Sequence, residues 1–95
     1  MDGSRWTDDQ RSIAEEVGRY LGDRVPAGFE IRLLDASQFP IFSVVSSSEG
    51  REVASVILAD HEVVVEVVGD YRTEAPPWPD SSSDLDELLA ALRSK

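Results

Sequence analysis

The chain has 95 residues, 41% hydrophobic and 29% charged, a balance typical of one folded domain and too apolar for a disordered chain. Nineteen acidic residues against nine basic ones give a net charge of -10 at pH 7, which repels nucleic-acid phosphates and anionic lipid headgroups. The absence of cysteine excludes disulfides, a thiolate nucleophile and cysteine-ligated metals. We therefore expect a single domain, residues 1–95, that binds neither nucleic acid nor membranes directly.

The expected location follows from the same features. Residues 1–6 hold no apolar signal core, and no run of about 18 apolar residues occurs in the chain. The lack of cysteine is typical of a reducing compartment. The sequence therefore predicts a cytoplasmic protein.

The N-terminal part of the chain has the pattern of a capped amphipathic helix. Thr7 followed by Gln10 matches a capping box, which predicts a helix over 8–21. Gly22 is expected to end this helix, and Pro26 to prevent a restart. One face is apolar at helical spacing, through Ile13, Ala14, Val17, Tyr20 and Leu21.

Residues 29–69 are rich in Val, Ile, Leu and Phe and are interrupted by short polar turns. This pattern predicts an antiparallel meander of four strands, because alternating apolar and polar residues give a strand one dry face. The predicted strands are 29–34, 40–46, 52–59 and 62–68.

The register of the last hairpin can be argued from its turn. A two-residue turn at Asp60 and His61 pairs Leu58 with Val63, which leaves one face free of polar residues. Carried across the sheet through the 47–51 loop, the same register builds a dry face from Phe29, Ile31, Leu33, Phe42, Val44, Ala54, Val56, Leu58, Val63, Val65 and Val67.

The second face of the predicted sheet is too apolar for a face in contact with water alone. We expect it to be covered by a second copy of the chain or by a partner protein. The residues expected at this interface are Leu34, Ile41, Val45, Ile57, Val64 and Val68.

Residues 69–83 hold three prolines around Trp78 and predict an extended connector. Trp78 has two alternative roles, to close one end of the core or to bind a partner, and Trp6 has the same two alternatives. Because of the second role, Trp78 is included among the candidate interface residues. Ser83 is expected to cap a helix over 84–93. Its apolar stripe is Leu85, Leu88, Leu89 and Leu92.

The sequence shows no constellation of catalytic residues. His61 is the only histidine and lies at a predicted turn, where one imidazole supplies too few ligands for a zinc site. No nucleophile elbow and no glycine-rich phosphate loop occur. We therefore expect no enzyme, no metal and no cofactor.

These patterns predict an α+β fold: an N-terminal helix, a four-stranded antiparallel β-meander and a C-terminal helix packed on the sheet. Both helices cover the dry face, or one helix covers each face. The predicted function is a small acidic, non-enzymatic protein-interaction module of chaperone-like, adaptor or inhibitor/immunity type, with a basic protein partner or a second copy bound at the sheet face. The alternative is a small-ligand-binding protein or minor enzyme with a site between the sheet and Trp78.

Overall fold

Two helices and five strands make up the computed structural model, which describes residues 6–34, 38–69 and 71–94. The strands form one antiparallel sheet in the order β1-β2-β3-β4-β5, so each strand pairs with its neighbour in sequence. The predicted α+β architecture is confirmed. The elements are α1 (Asp8–Arg24), β1 (Phe29–Leu34), β2 (Ile41–Ser46), β3 (Arg51–Leu58), β4 (Val63–Val67), β5 (Tyr71–Ala75) and α2 (Ser82–Arg93).

The fifth strand lies inside the region predicted as a connector, 69–83. β5 pairs with β4 from Val63 opposite Ala75 to Val67 opposite Tyr71. Its alternation of charged and uncharged residues is a strand pattern, and the prolines that suggested an extended crossing begin only after Ala75. Four predicted strands therefore become five, and the connector shortens to 76–81.

Helix α1 begins as predicted and ends later. The Thr7 hydroxyl accepts a hydrogen bond from the Gln10 amide at 3.1 Å, and the Gln10 side chain accepts from the Thr7 amide at 2.9 Å. Gly22 does not end the helix, which continues to Arg24. Val25 is extended, with ψ 136°, because a residue before proline is disfavoured in the helical region.

The predicted register of the β3–β4 hairpin is confirmed. Leu58 pairs with Val63, and the Ala59 amide donates to the Glu62 carbonyl at 3.0 Å, which closes the turn at residues 60 and 61. The β2–β3 loop is 47–50, one residue shorter than predicted, with Gly50 at φ 68°. A register shift leaves Val53 bulged from β3.

Both helices lie on the same face of the sheet, which is one of the two predicted arrangements. The core joins Ala14, Val17 and Leu21 of α1 to the four leucines of α2 and to the predicted dry face, with one exception. Leu33, predicted on the dry face, is 45% exposed because it lies near the end of the edge strand β1. All four leucines of the α2 stripe, Leu85, Leu88, Leu89 and Leu92, are fully buried. Within the described parts of the chain, no helix covers the opposite face of the sheet.

The start of α2 differs from the prediction. Ser83 does not cap the helix, which begins at Ser82 with Ser81 at the N-cap position. The Ser82 amide donates to the Pro79 carbonyl at 3.0 Å, and the Ser81 carbonyl accepts from the amides of Asp84 and Leu85. The backbone turn after Pro79 therefore starts the helix two residues earlier, and the Ser81 hydroxyl makes no capping bond.

Candidate functional site

The side of the sheet opposite the helices is the candidate interaction surface, and we call it the open face. The strand registers align one residue of each strand into rows that cross the sheet. The first row runs through Leu34, Ile41, Ile57, Val64 and Glu74. Its first four members are consecutive hydrophobic residues on four neighbouring strands, and we call them the apolar row.

Exposure along the apolar row increases toward the β1 edge. Val64 is 5% exposed, Ile57 and Ile41 are half-buried, and Leu34 is 42% exposed. A single exposed leucine is common on protein surfaces, and the significance of Leu34 lies in its position in one row with three further apolar residues. The row therefore forms a shallow hydrophobic strip with Ile57 near its centre.

A polar row lies beside the apolar row and carries three of the six charged side chains on the described open face. Arg32 contacts Glu30 at 2.6 Å, and Arg72 lies 3.6 Å from Glu66 and 3.8 Å from Glu74. These groups are about half exposed or more, so the ion pairs contribute little to folding stability. Their main effect is to place charge around the hydrophobic strip. The row is Arg32, Ser43, Ser55, Glu66 and Arg72.

Acidic groups outnumber basic ones on this face. Glu52, which lies opposite Val45, accepts a hydrogen bond from the Ser43 hydroxyl at 2.6 Å. The described face thus carries four carboxylates and two guanidinium groups, so its net charge is negative, like that of the whole chain. The carboxylates are those of Glu30, Glu52, Glu66 and Glu74.

The structure brings together four of the seven predicted interface residues, the members of the apolar row. Val45 lies on the same face beyond the polar row and is only 8% exposed. Val68 is 59% exposed but lies in the β4–β5 turn, where its amide donates to the Val53 carbonyl at 2.9 Å. Trp78 lies on the helix-covered side and therefore does not belong to the open face.

Trp78 attaches the connector to α1. Its ring meets Tyr20 edge-on, with 5.2 Å between ring centroids, and its indole N–H donates to Glu16 at 3.0 Å. The side chain is half-buried and also packs against the core. This placement combines core contact with a polar anchor, which is typical of a partly buried tryptophan.

A cavity of about 270 Å³ lies beside Trp78, between the start of α1 and the β3–β4 hairpin. Gln10, held by the capping box, donates its side-chain N–H to Asp60 at 3.1 Å and so joins the helix to the hairpin. Asp9 and Asp60 supply carboxylates, and none of the described residues that line the cavity is basic. The lining residues are Thr7, Asp9, Gln10, Ile13, Leu58, Ala59, Asp60, Val63, Pro77 and Trp78.

A polar contact between the two helices was missed by sequence reasoning. The Tyr20 hydroxyl donates to the Asp86 carboxylate, and the Arg24 guanidinium lies 3.9 Å above the Tyr20 ring. Sequence reasoning assigned Tyr20 to the apolar stripe, and 66 residues separate it from Asp86. No local pattern could have joined them, because the contact depends on how α1 and α2 lie side by side.

The Tyr20–Asp86 hydrogen bond predicts a loss of stability at high pH. The bond raises the pKa of Tyr20 above 10.0, with burial and the Asp86 charge acting in the same direction and Arg24 opposing them. This contribution to stability is fully present below the ordinary tyrosine pKa and is lost as the pH rises through the folded value. We expect the free energy of unfolding of Tyr20→Phe to fall less steeply above pH 10 than that of the wild type.

Urea denaturation of both proteins on each side of pH 10 measures this difference. Parallel pH profiles would contradict the role of the hydrogen bond.

The described residues form neither a metal-binding cluster nor a membrane-spanning helix. They contain no cluster of three or more His, Asp or Glu side chains placed to hold a metal ion, and His61 is exposed in its turn. Neither described helix is both long and apolar enough to cross a membrane. Comparisons with protein-family models, with curated proteins and with solved structures gave no significant match.

Proposed function

We propose that this chain is a small, acidic, non-enzymatic interaction module of the cytoplasm that binds a basic protein with its open face. The observation that carries the proposal is the placement of both helices on one side of the sheet. This placement leaves no described helix over the apolar row, whose exposure rises from 5% at Val64 to 42% at Leu34. A hydrophobic strip surrounded by charged residues has the composition of a protein-binding surface.

The size of the open face suits a protein partner better than a small molecule. Five strands about 4.8 Å apart, with rises of about 3.4 Å per residue, span a face about 20 Å on each side. The face is shallow, whereas small ligands are bound in concave sites. A face of this extent covers roughly 400 Å², about half of the roughly 800 Å² per partner of a standard interface, and therefore suits a small, transient protein–protein contact.

The net charge of the chain indicates that the partner carries the opposite, positive charge. A net charge of -10 produces a field that attracts basic proteins and increases their rate of association. The excess of carboxylates on the open face directs that attraction toward the apolar row. Chaperone-like, adaptor and inhibitor or immunity proteins all act through surfaces of this kind, and the proposal covers these three classes.

Capture of partners from the native cytosol, followed by binding kinetics at low and high salt, tests this function. We expect the captured protein to be basic and its association rate to fall at least about tenfold with added salt, because screening removes electrostatic steering. The dissociation rate should change much less. A captured partner that is acidic, or an association rate insensitive to salt, would contradict the proposal.

The cavity beside Trp78 supports a second candidate function, the binding of a small ligand or a minor enzymatic activity there. Its walls are apolar at Ile13, Leu58 and Val63, and its carboxylates are Asp9 and Asp60. Such a site favours a small cationic ligand with an apolar group. A thermal-shift screen of aromatic and aliphatic amines would support this function if the melting temperature rose with Asp60 intact and not in Asp60→Asn.

A further inference from the structure

The outer edge of β1 presents a regular array of backbone groups with which no described strand pairs. The Gly28 carbonyl accepts from the Ser47 amide at 2.8 Å, in the same register as the β1–β2 ladder. In an antiparallel ladder, successive residues direct their N–H and C=O groups to opposite sides of the strand. The even-numbered residues of β1 therefore face β2, and the backbone groups of Phe29, Ile31 and Leu33 face outward.

Charged side chains are one feature that prevents edge strands from pairing, but Glu30 and Arg32 are of opposite sign here, so an antiparallel second copy can match them. Among the described residues, the edge has no other such feature. It contains no proline, it is six residues long, and no described strand covers it. Leu33 and Leu34 are 45% and 42% exposed at its end. Edge strands of this kind are templates for pairing with another strand.

We propose that β1 pairs antiparallel with β1 of a second copy of this chain, about a two-fold axis at Ile31. The two sheets then join into one sheet of ten strands, with the helices of both copies on the same side. Ile31 lies opposite the partner's Ile31, and Phe29 lies opposite the partner's Leu33. The three outward-facing residues of each strand form six backbone hydrogen bonds across the axis.

Charge complementarity selects this register. Glu30 lies opposite the partner's Arg32, and the two-fold axis repeats this pair, so two opposite-charge pairs form across the interface. A shift of two residues in one direction places Glu30 opposite the partner's Glu30. A shift in the other direction places Arg32 opposite the partner's Arg32. Both alternatives set like charges against each other.

The helix-covered side of the joint has room for the second copy. A cavity of about 230 Å³ lies between α1 and Leu33, lined by Trp6, Arg11, Ala14, Glu15 and Leu33. In the proposed register, the partner's Phe29 lies beside this cavity, on the same side of the sheet.

The other edge of the sheet is less suited to pairing. The Ala59–Glu62 hydrogen bond and the registers of β3, β4 and β5 place only Arg72 and Glu74 with outward backbone groups on β5. Pairing there would form four backbone bonds instead of six, without the apolar pairs of β1. The choice of β1 is independent of the proposed partner binding, and it places two open faces side by side.

Exchanging the charges of Glu30 and Arg32, singly and together, tests the dimer. The dissociation constant of the full chain is measured by sedimentation over a wide concentration range in about 0.15 M salt. We expect a wild-type dimer whose dissociation constant rises at least about tenfold in Glu30→Arg or Arg32→Glu, because each variant sets like charges opposite at two places. The double variant E30R/R32E should restore the wild-type constant. Glu74→Arg, on the other edge, is the matched control and should leave it unchanged.

A wild-type chain that remains monomeric at millimolar concentration would overturn the proposal. So would a double variant as weak as the single variants, or an equal effect of Glu74→Arg. Amide exchange gives an independent measurement that needs no variant. The amides of Phe29, Ile31 and Leu33 should gain protection as concentration rises, and unchanged exchange of all three in the dimer would overturn the β1 contact.

Discussion

Ile57→Asp is expected to abolish binding of the basic partner while the protein remains folded. Ile57 is at the centre of the apolar row, between Ile41 and Val64, and its side chain is half-buried in the free chain. A carboxylate there would be desolvated on binding without a partner group, at a cost of at least about 2 kcal/mol, or roughly thirtyfold in affinity. Titration calorimetry with the captured partner measures the effect.

Ser55→Asp is the matched control for this variant. Ser55 lies two residues away on the same strand and the same face, but in the polar row. The Ser55→Asp variant adds the same charge as Ile57→Asp, so a basic partner should bind this variant at least as well as the wild type. Equal loss of binding in both variants would mean that total charge, and not the apolar row, determines affinity.

The Ile57→Asp variant also distinguishes binding at the open face from self-association at the β1 edge. Ile57→Asp leaves the outward backbone groups of β1 unchanged, so self-association through that edge should persist in it. Val64→Glu is a poorer test, because Val64 is 5% exposed and a carboxylate there would destabilise the fold itself. Loss of the dimer in folded Ile57→Asp would instead assign self-association to the open face.

Gly18→Val is expected to destabilise the protein by about 1–3 kcal/mol, although valine has the higher helix propensity. A Cβ at Gly18 would lie 3.1 Å and 3.2 Å from two ring atoms of Phe42, closer than ordinary van der Waals contact. Phe42 is 3% exposed and surrounded by core residues. The branched side chain would therefore have to displace either the ring or the helix.

Gly22→Val is the matched control on the same helix. A Cβ at Gly22 would meet no atom within 4 Å, and the residue is exposed. Its stability should therefore stay within about 0.5 kcal/mol of the wild type. Urea denaturation measures the free energy of unfolding of the two variants. Equal values would contradict the close contact between α1 at Gly18 and the Phe42 ring.

Much of the fold could be predicted because its signals are local. The capping box of Thr7 and Gln10 needs only a spacing of three residues, and the turn at Asp60 and His61 sets the face of every residue in its hairpin. The leucine stripe of α2 was predicted in full for the same reason. The errors at Gly22 and Ser83 arose where the neighbouring prolines, Pro26 and Pro79, determined the helix ends.

The missing strand has a different cause. Residues 71–75 carry a short alternating pattern beside a cluster of prolines, and the prolines dominated the interpretation. A strand of this length gains its stability from the strand beside it, and β4 supplies the backbone groups that hold β5. The formation of β5 therefore depends on its pairing with β4, which the local sequence does not show.

The candidate site was predicted in part. Alternation correctly assigned Leu34, Ile41, Ile57 and Val64 to one face, because the period of a strand is a property of the chain. The spacing of residues along the sequence could not show that Val68 lies in a turn. The position of Trp78 beside Tyr20 depended on the path of the connector.

The sequence by itself determined which residues of each element turn toward the core, because helical and strand periods are set by backbone geometry. Only the tertiary structure decided that both helices lie on one side of the sheet. An apolar stripe requires a surface to cover, but it carries no information about which surface. That choice leaves the open face without a described helix over it, and the proposed partner binding follows from it. The free β1 edge follows instead from the strand order of the sheet.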